Sequence, residues 1–316
     1  MTILITGGAG FIGSNLAEKL LRANQTVIAV DNLITGSFEN IRDLLAKYPN
    51  FKFFKLDVTS QEFSAGFQPG KIKLDRIYHL ACPTGVLNCL RLSEEMIDTC
   101  SFGSKRVLSL ARDHHCPIVV TSTAEVYGDP EIFPQVESYN GNVSTTGERS
   151  SYEEGKRFSE AMVAMFVRKY KVKAKIARVF NAYGPRMSAH DMRVHAQFIN
   201  RALKNQPLSV FGSGRQTRTF CYITDTLDGL IKIMDKGKQG EIYNLGSNQP
   251  TTINELAKTV IKLANSKSKI KHRPHKITDH KHRLPAIKKL KALGWQRRVE
   301  LAQGTLKMIA YVKSSN

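Results

Sequence analysis

The sequence predicts an α/β protein, a doubly wound parallel sheet with a smaller and less regular C-terminal region. Three observations predict it. Short apolar runs alternate with amphipathic stretches through the first half of the chain, and a glycine-rich turn joins the first run to the first such stretch. Beyond Tyr183 the alternation loosens and Gly, Pro and Arg become frequent. Strand and helix patterns alternating at this spacing mean parallel strands linked by crossover helices.

The apolar runs at 3–5, 26–30, 51–56, 76–80 and 118–122 read as strands. The stretch 12–23 reads as a helix, with Leu16 and Leu20 one turn apart. A second helix over 152–169 leads to a further strand over 175–180. Residues 1–182 thus form one region and 183–316 the second, marked by Gly184-Pro185-Arg186 and Phe211-Gly212-Ser213-Gly214. No internal repeat or low-complexity linker interrupts them.

The chain has 316 residues, 41% hydrophobic and 23% charged, which is ordinary globular usage and excludes a disordered chain. No run approaches the roughly 18 apolar residues that span a bilayer, so no membrane association is expected. The first residues enter a strand pattern at once, leaving no room for a signal peptide. The five cysteines are an odd number without C-x-x-C spacing, so they read as reduced thiols of a cytoplasmic protein. Cys116 and Cys221 lie in apolar surroundings and read as small buried hydrophobes.

The formal net charge of +20 has two readings, a nucleic-acid surface or a basic background that also serves an anionic substrate. The positive residues thicken over 267–291 without interleaved aromatics, which disfavours nucleic acid. His272, His275, His280 and His282 have ligand-like spacing, but Lys271, Arg273, Lys276, Lys281 and Arg283 surround them. Accumulated positive charge opposes a cation, so no metal site is expected.

Gly8-Ala9-Gly10-Phe11-Ile12-Gly13 fits G-x-G-x-x-G, and Gly7 adds an overlapping match. Strand before, helix after and a second strand ending at Asp31 are the context that makes this a Rossmann dinucleotide site. Glycine at Gly7, Gly10 and Gly13 lets a pyrophosphate approach the backbone, and the helix start at Phe11 and Ile12 supplies partial positive charge. Asp31, with Asn32 beside it, suits the ribose hydroxyls and would repel the 2′-phosphate of NADP, so the cofactor is read as NAD. Asp57 and Val58, ending the third strand, are placed against the adenine.

Tyr152 and Lys156 stand four apart on one helix face. A nearby ammonium stabilises phenolate, so the tyrosine can take a proton from a sugar hydroxyl near neutral pH. The fifth strand ends in Thr121-Ser122-Thr123, where a hydroxyl can bond the same substrate oxygen. Together these motifs resemble the extended short-chain dehydrogenase/reductase family over nearly the whole chain.

Within it, the chain is similar to the UDP-glucuronate decarboxylases (UDP-xylose synthases). The residues that carry this are Thr123-Ala124-Glu125-Val126-Tyr127-Gly128-Asp129-Pro130 and Tyr152-Glu153-Glu154-Gly155-Lys156-Arg157, against a usual Y-D-E-G-K-R. Arg178-Val179-Phe180-Asn181-Ala182-Tyr183-Gly184-Pro185-Arg186-Met187 and Gly212-Ser213-Gly214-Arg215-Gln216-Thr217-Arg218 extend it. The resemblance implies oxidation at C4 of UDP-glucuronate by NAD, loss of carbon dioxide, protonation at C5 and return of the hydride. It assigns Thr123 to O4, Tyr152 and Lys156 to proton transfer, and Glu125 to the ring or to a proton. It assigns Asn181 and Arg186 to the sugar nucleotide, and Arg218 and Arg283 to the diphosphate, with Tyr222 either against the nucleotide or in the core. It also implies a homodimer joined by two helices from each subunit.

Besides Glu153, four places depart from that pattern. Ala124 stands for a usual serine, Cys82-Pro83-Thr84-Gly85-Val86-Leu87 for S-P-A-S-P-P, Cys100 for an asparagine, and Ala286 for the aspartate of R-x-P-D. The 82–92 stretch lies where the sugar's carboxylate end is expected. A 4,6-dehydratase of the same family would carry aspartate in place of Ala124 as proton donor, and a 4-epimerase would lack Glu125. A non-enzymatic NAD-binding protein with a basic partner surface would have no need of Thr123, Tyr152 and Lys156 together.

Overall fold

The computed structural model describes residues 1–85, 88–188, 193–274 and 283–314. Of the histidine cluster only His272 is among them, and Val86 and Leu87 fall outside. The chain forms two compact units. The first comprises Met1–Val126, Val143–Arg178 and Leu230–Tyr243, and the second Tyr127–Asn142, Val179–Gly229 and Asn244–Asn316.

The first unit runs β1 (Thr2–Thr6), α1 (Phe11–Arg22), β2 (Thr26–Asp31), α2 (Glu39–Lys47), β3 (Phe51–Lys55), α3 (Gln61–Gly66) and β4 (Arg76–His79). It continues through α4 (Asn88–Arg91), α5 (Ser93–Asp98), α6 (Ser104–Asp113), β5 (Ile118–Thr123), α7 (Ser150–Tyr170) and β6 (Ala174–Val179). A single turn of wider π-helix, Thr99–Gly103, joins α5 to α6. The sheet has seven strands, β3-β2-β1-β4-β5-β6 and then Ile242–Leu245 at the edge. The pairs β1–β2, β2–β3, β1–β4 and β4–β5 are all parallel. The predicted strands and helices agree within a residue or two; the edge strand Ile242–Leu245 was not foreseen.

Helices on both faces explain the composition of the strands. Every residue of β5 is buried, and Ile3, Leu4 and Ile5 of β1 are all but inaccessible, as a strand covered on two sides requires. In α1, Leu16, Ala17, Leu20 and Leu21 form the inward stripe. Strand order reverses between β1 and β4, and ligands of such sheets bind at the carboxyl ends beside that reversal. The glycine turn follows β1 there.

The second unit has short two-stranded pairs in place of a large sheet. Ala182–Tyr183 pairs with Cys221–Tyr222, Thr217–Thr219 with Pro250–Thr252, and Leu208–Phe211 with Ile270–Arg273. Its helix Ile253–Leu263 opens with a capping box between Thr252 and Glu255. Trp295 is buried, its Nε1 donating to the Asp225 carbonyl at 2.8 Å, while the Asp225 carboxylate accepts from the amides of Arg298 and Val299. No described helix is long and apolar enough to cross a membrane.

Candidate active site

The turn after β1 is held by backbone contacts that only glycine permits. Gly7 has φ +71°, and a Cβ there would meet the Ala81 amide nitrogen at 2.8 Å. A Cβ on Gly13 would stand 2.1 Å from the Gly7 carbonyl oxygen, so α1 approaches the turn as closely as backbone can. Gly10 caps α1 without a side-chain hydrogen bond, and no acidic residue occupies the first turn, where a helix has unsatisfied amides and partial positive charge. Phe11, Ile12 and Gly13 open that helix. This backbone cradle, which any side chain would fill, fits a dinucleotide pyrophosphate.

Asp31 ends β2 beside the turn. Its carboxylate accepts from the amides of Ala9 at 3.0 Å and Leu33 at 2.9 Å. Burial pushes its pKa up, and the amides of Leu33, Ala9 and Gly10 oppose the rise. Asp31 therefore shapes the glycine turn as well as standing where ribose hydroxyls are expected. Asn32 donates to Asp57 at 2.6 Å, tying the ends of β2 and β3 together. Burial raises the Asp57 carboxyl, but hydrogen bonds from Thr59 and Asn32 outweigh it and hold it below its ordinary value. Val58 is buried next to it, against the π turn at Gly103.

At the end of β5 the three hydroxyls separate in role. Thr121 donates to the His79 carbonyl at 3.0 Å, and the Ser122 hydroxyl is buried with no hydrogen-bond partner among the described residues. Thr123 accepts from the Glu125 amide at 3.2 Å and stands close enough to Tyr152 to lower its pKa. Thr123, Tyr152 and Lys156 thus come together as the sequence reading expected. Lys156 is buried in α7 and donates to the Thr121 carbonyl at 3.0 Å. Burial works against its charge, yet Cys82, Cys100, Tyr152 and Glu160 hold its pKa above the ordinary value. Burial pushes the Tyr152 phenol up to about 12, while Lys156 and Thr123 pull it down. The lysine alone therefore does not bring the phenol to neutral pH, contrary to expectation, because desolvation of the phenolate outweighs one ammonium.

A buried network braces this corner. His79 contacts Thr6 at 2.7 Å and Ser104 at 3.2 Å, and Ser104 contacts Ser159 of α7 at 2.9 Å. Burial and then the charge on Lys156 depress His79 to about 3, so it is neutral.

Two residues that sequence reasoning missed join Glu125. Arg149, just before α7, pairs with the Glu125 carboxylate and stands 3.1 Å from Glu153. The Arg149–Glu153 spacing of four residues was the available signal. Glu153 is the position at which this chain departs from Y-D-E-G-K-R, and its carboxylate meets the guanidinium.

The remaining predicted residues lie in the second unit. Asn181 donates to the Thr219 carbonyl at 3.3 Å, and Arg218, on the strand that ends at Thr219, donates to the Thr217 carbonyl. Arg186 holds a left-handed backbone, φ +69°. Arg283 is buried, and that burial lowers its guanidinium to about 9. Tyr222 is buried, edge-on to Tyr183 with ring centroids 5.5 Å apart, so its ring packs in the core.

The NAD dependent epimerase/dehydratase family matches residues 3–246. The chain belongs to that family. NAD is the cofactor of this family, and the glycine cradle with Asp31 fits it. This epimerase/dehydratase-family protein is 43% identical over 306 residues to UDP-glucuronic acid decarboxylase 3 of Arabidopsis thaliana, covering 96% of the chain and 86% of the relative. It is 39% identical over 310 residues to UDP-glucuronic acid decarboxylase 1 of Danio rerio, covering 98% and 72%. A UDP-glucose 4-epimerase of Thermotoga maritima, solved with UDP-glucose, superposes with TM-score 0.91 at 28% identity, covering 100% and 99% of the two chains. A Thermus thermophilus UDP-glucose 4-epimerase complexed with NAD does so with TM-score 0.88 at 25% identity, covering both chains fully.

Proposed function

We propose that this protein converts UDP-glucuronate to UDP-xylose through a UDP-4-keto intermediate, regenerating NAD in each cycle. The observation that carries the reading is Thr123, Tyr152 and Lys156 grouped at the end of β5, in a chain whose relatives are named UDP-glucuronic acid decarboxylases. Bound NAD would supply the hydride acceptor, and then donor, for C4. Tyr152 accepts the C4 hydroxyl proton, with Thr123 orienting the oxygen and Lys156 stabilising the phenolate. The ketone then lies β to the carboxylate and takes the electron pair as carbon dioxide leaves; a proton at C5 completes that step. Glu125, held by Arg149, lines the sugar side. Ala124 offers no proton donor, which disfavours the elimination a dehydratase needs. Arg218 and Arg283 hold the diphosphate, with Asn181 and Arg186 contributing to the sugar nucleotide.

Incubation of the purified protein with UDP-glucuronate and NAD tests this, with products identified by NMR and mass spectrometry. UDP-xylose with release of carbon dioxide is expected. C4 inversion without loss of mass, or a 4-keto-6-deoxyhexose from a neutral hexose nucleotide, would overturn it.

A homodimer belongs to the same proposal. Ile97, Phe102, Phe158 and Met165 are exposed on α5, its π turn and α7, an apolar face suited to a second copy. Sedimentation of the parent as a dimer and of Phe102→Asp as a monomer is expected; a monomeric parent refutes it. A cytoplasmic setting accords with five free cysteines.

A further inference from the structure

The two cysteines that replace the usual residues of the decarboxylase pattern meet. Cys82 follows β4 and Cys100 lies in the π turn, and their sulfurs are 3.7 Å apart. Gly155 makes room, because a Cβ there would come within 3.3 Å of the Cys100 Cβ and 3.4 Å of its sulfur. A disulfide needs about 2.05 Å between sulfurs, an approach of under about 2 Å.

We infer that Cys82 and Cys100 form a redox-active dithiol, a modification site for oxidants of the hydroperoxide class placed beside Lys156. Lys156 stands close enough that both sulfurs act on its charge. The contact between the two sulfurs, against burial, holds Cys100 below its ordinary value, while Cys82 is held well above its own. Cys100 is thus the thiol of the pair that ionises more readily, and the thiolate is the nucleophile. Cys82 is only partly buried, where the other four cysteines are fully so. The other thiols differ, since burial pushes Cys116 and Cys221 up to about 12 and also raises Cys89.

The chemistry balances with the peroxide alone. The thiolate attacks one peroxide oxygen, the O–O bond breaks, and a sulfenic acid and hydroxide form. The second sulfur attacks the first, the S–O bond breaks, and hydroxide leaves. With the two thiol protons the sum is one disulfide and two waters from hydrogen peroxide; the sulfurs lose two electrons and the peroxide gains them. The disulfide removes the thiolate facing Lys156 and draws Cys82 toward the π turn. Leu80 and Ala81 are the backbone on which Gly7 rests, so the strain passes to the dinucleotide turn.

The test treats the full-length protein with hydrogen peroxide, alkylates free thiols and maps disulfides by mass spectrometry, a readout needing no turnover. A Cys82–Cys100 cross-link reversed by dithiothreitol is expected, with NAD affinity lowered at least about tenfold while it persists. If the decarboxylase reading holds, turnover falls and recovers in step; that arm rests on it, whereas the mapping does not. Cys82→Ser and Cys100→Ser, each compared with its own untreated sample, should keep their NAD affinity under peroxide. Oxidation confined to other sulfurs, or equal loss in both variants, would overturn the inference.

Discussion

Acid should loosen the catalytic corner through one buried histidine. His79 has a pKa of about 3 in the fold, from burial and the Lys156 charge, against 6.5 for an ordinary imidazole. A depressed histidine contributes stability that is complete above pH 6.5 and declines as pH falls toward the folded value, because the unfolded chain binds the proton first. At pH 5 the unfolded imidazole is protonated and the native one is not, so the loss from this residue is about 2 kcal/mol relative to pH 7.5. His79→Asn removes the titration while keeping a polar side chain between Thr6 and Ser104. Urea unfolding at pH 7.5, 6.5, 5.5 and 5.0 should give a parent curve that falls about 2 kcal/mol further than the variant's by pH 5. Parallel curves would refute the assignment of a neutral, non-titrating His79.

Three further outcomes follow from the site. Gly13→Ala forces a methyl to within 2.1 Å of the Gly7 oxygen, so NAD affinity by calorimetry should fall about a hundredfold, and unchanged affinity would remove the cradle from the cofactor site. Tyr152→Phe keeps the ring but loses the proton acceptor, so turnover of UDP-glucuronate should drop at least about a hundredfold with the circular dichroism spectrum unchanged. Arg149→Met leaves the Glu125 and Glu153 carboxylates without their shared guanidinium, so turnover should fall roughly tenfold and thermal unfolding should come earlier, because a largely buried ion pair loses its cation.

The sequence made plain whatever is local. Residues 3–5, the glycine turn and the Leu16 and Leu20 stripe sit within one supersecondary unit, so their pattern is visible without tertiary knowledge. Tyr152 and Lys156 share one helix and were legible for the same reason. The pair Ala182–Tyr183 with Cys221–Tyr222 was not, since strands of two residues carry no periodicity and their pairing is long-range. Nor was the use of Glu125: Arg149 stands 24 residues away, in a polar loop without pattern. The phenol of Tyr152 shows a different limit, because residue spacing reports the neighbouring lysine but not the depth at which both are desolvated. The cysteines at 82 and 100 were visible as substitutions, and only the fold shows that they touch.

The chain passes between the two compact units five times, and this has a consequence for synthesis on the ribosome. The strand that flanks β6, Ile242–Leu245, is made about 60 residues after β6 itself. At roughly 5–20 residues per second, β6 waits several seconds as an open sheet edge. Such an edge invites pairing with another nascent chain, and inward or edge charges are the known protection. β6 carries Lys175 and Arg178. In the finished fold Lys175 donates to the Met234 carbonyl, from the late segment, and Arg178 pairs with Glu160 at 2.7 Å. Arg178 finds its partner in α7, already made, whereas Lys175, which guards the edge while it is open, becomes an internal fastening only once the late segment arrives.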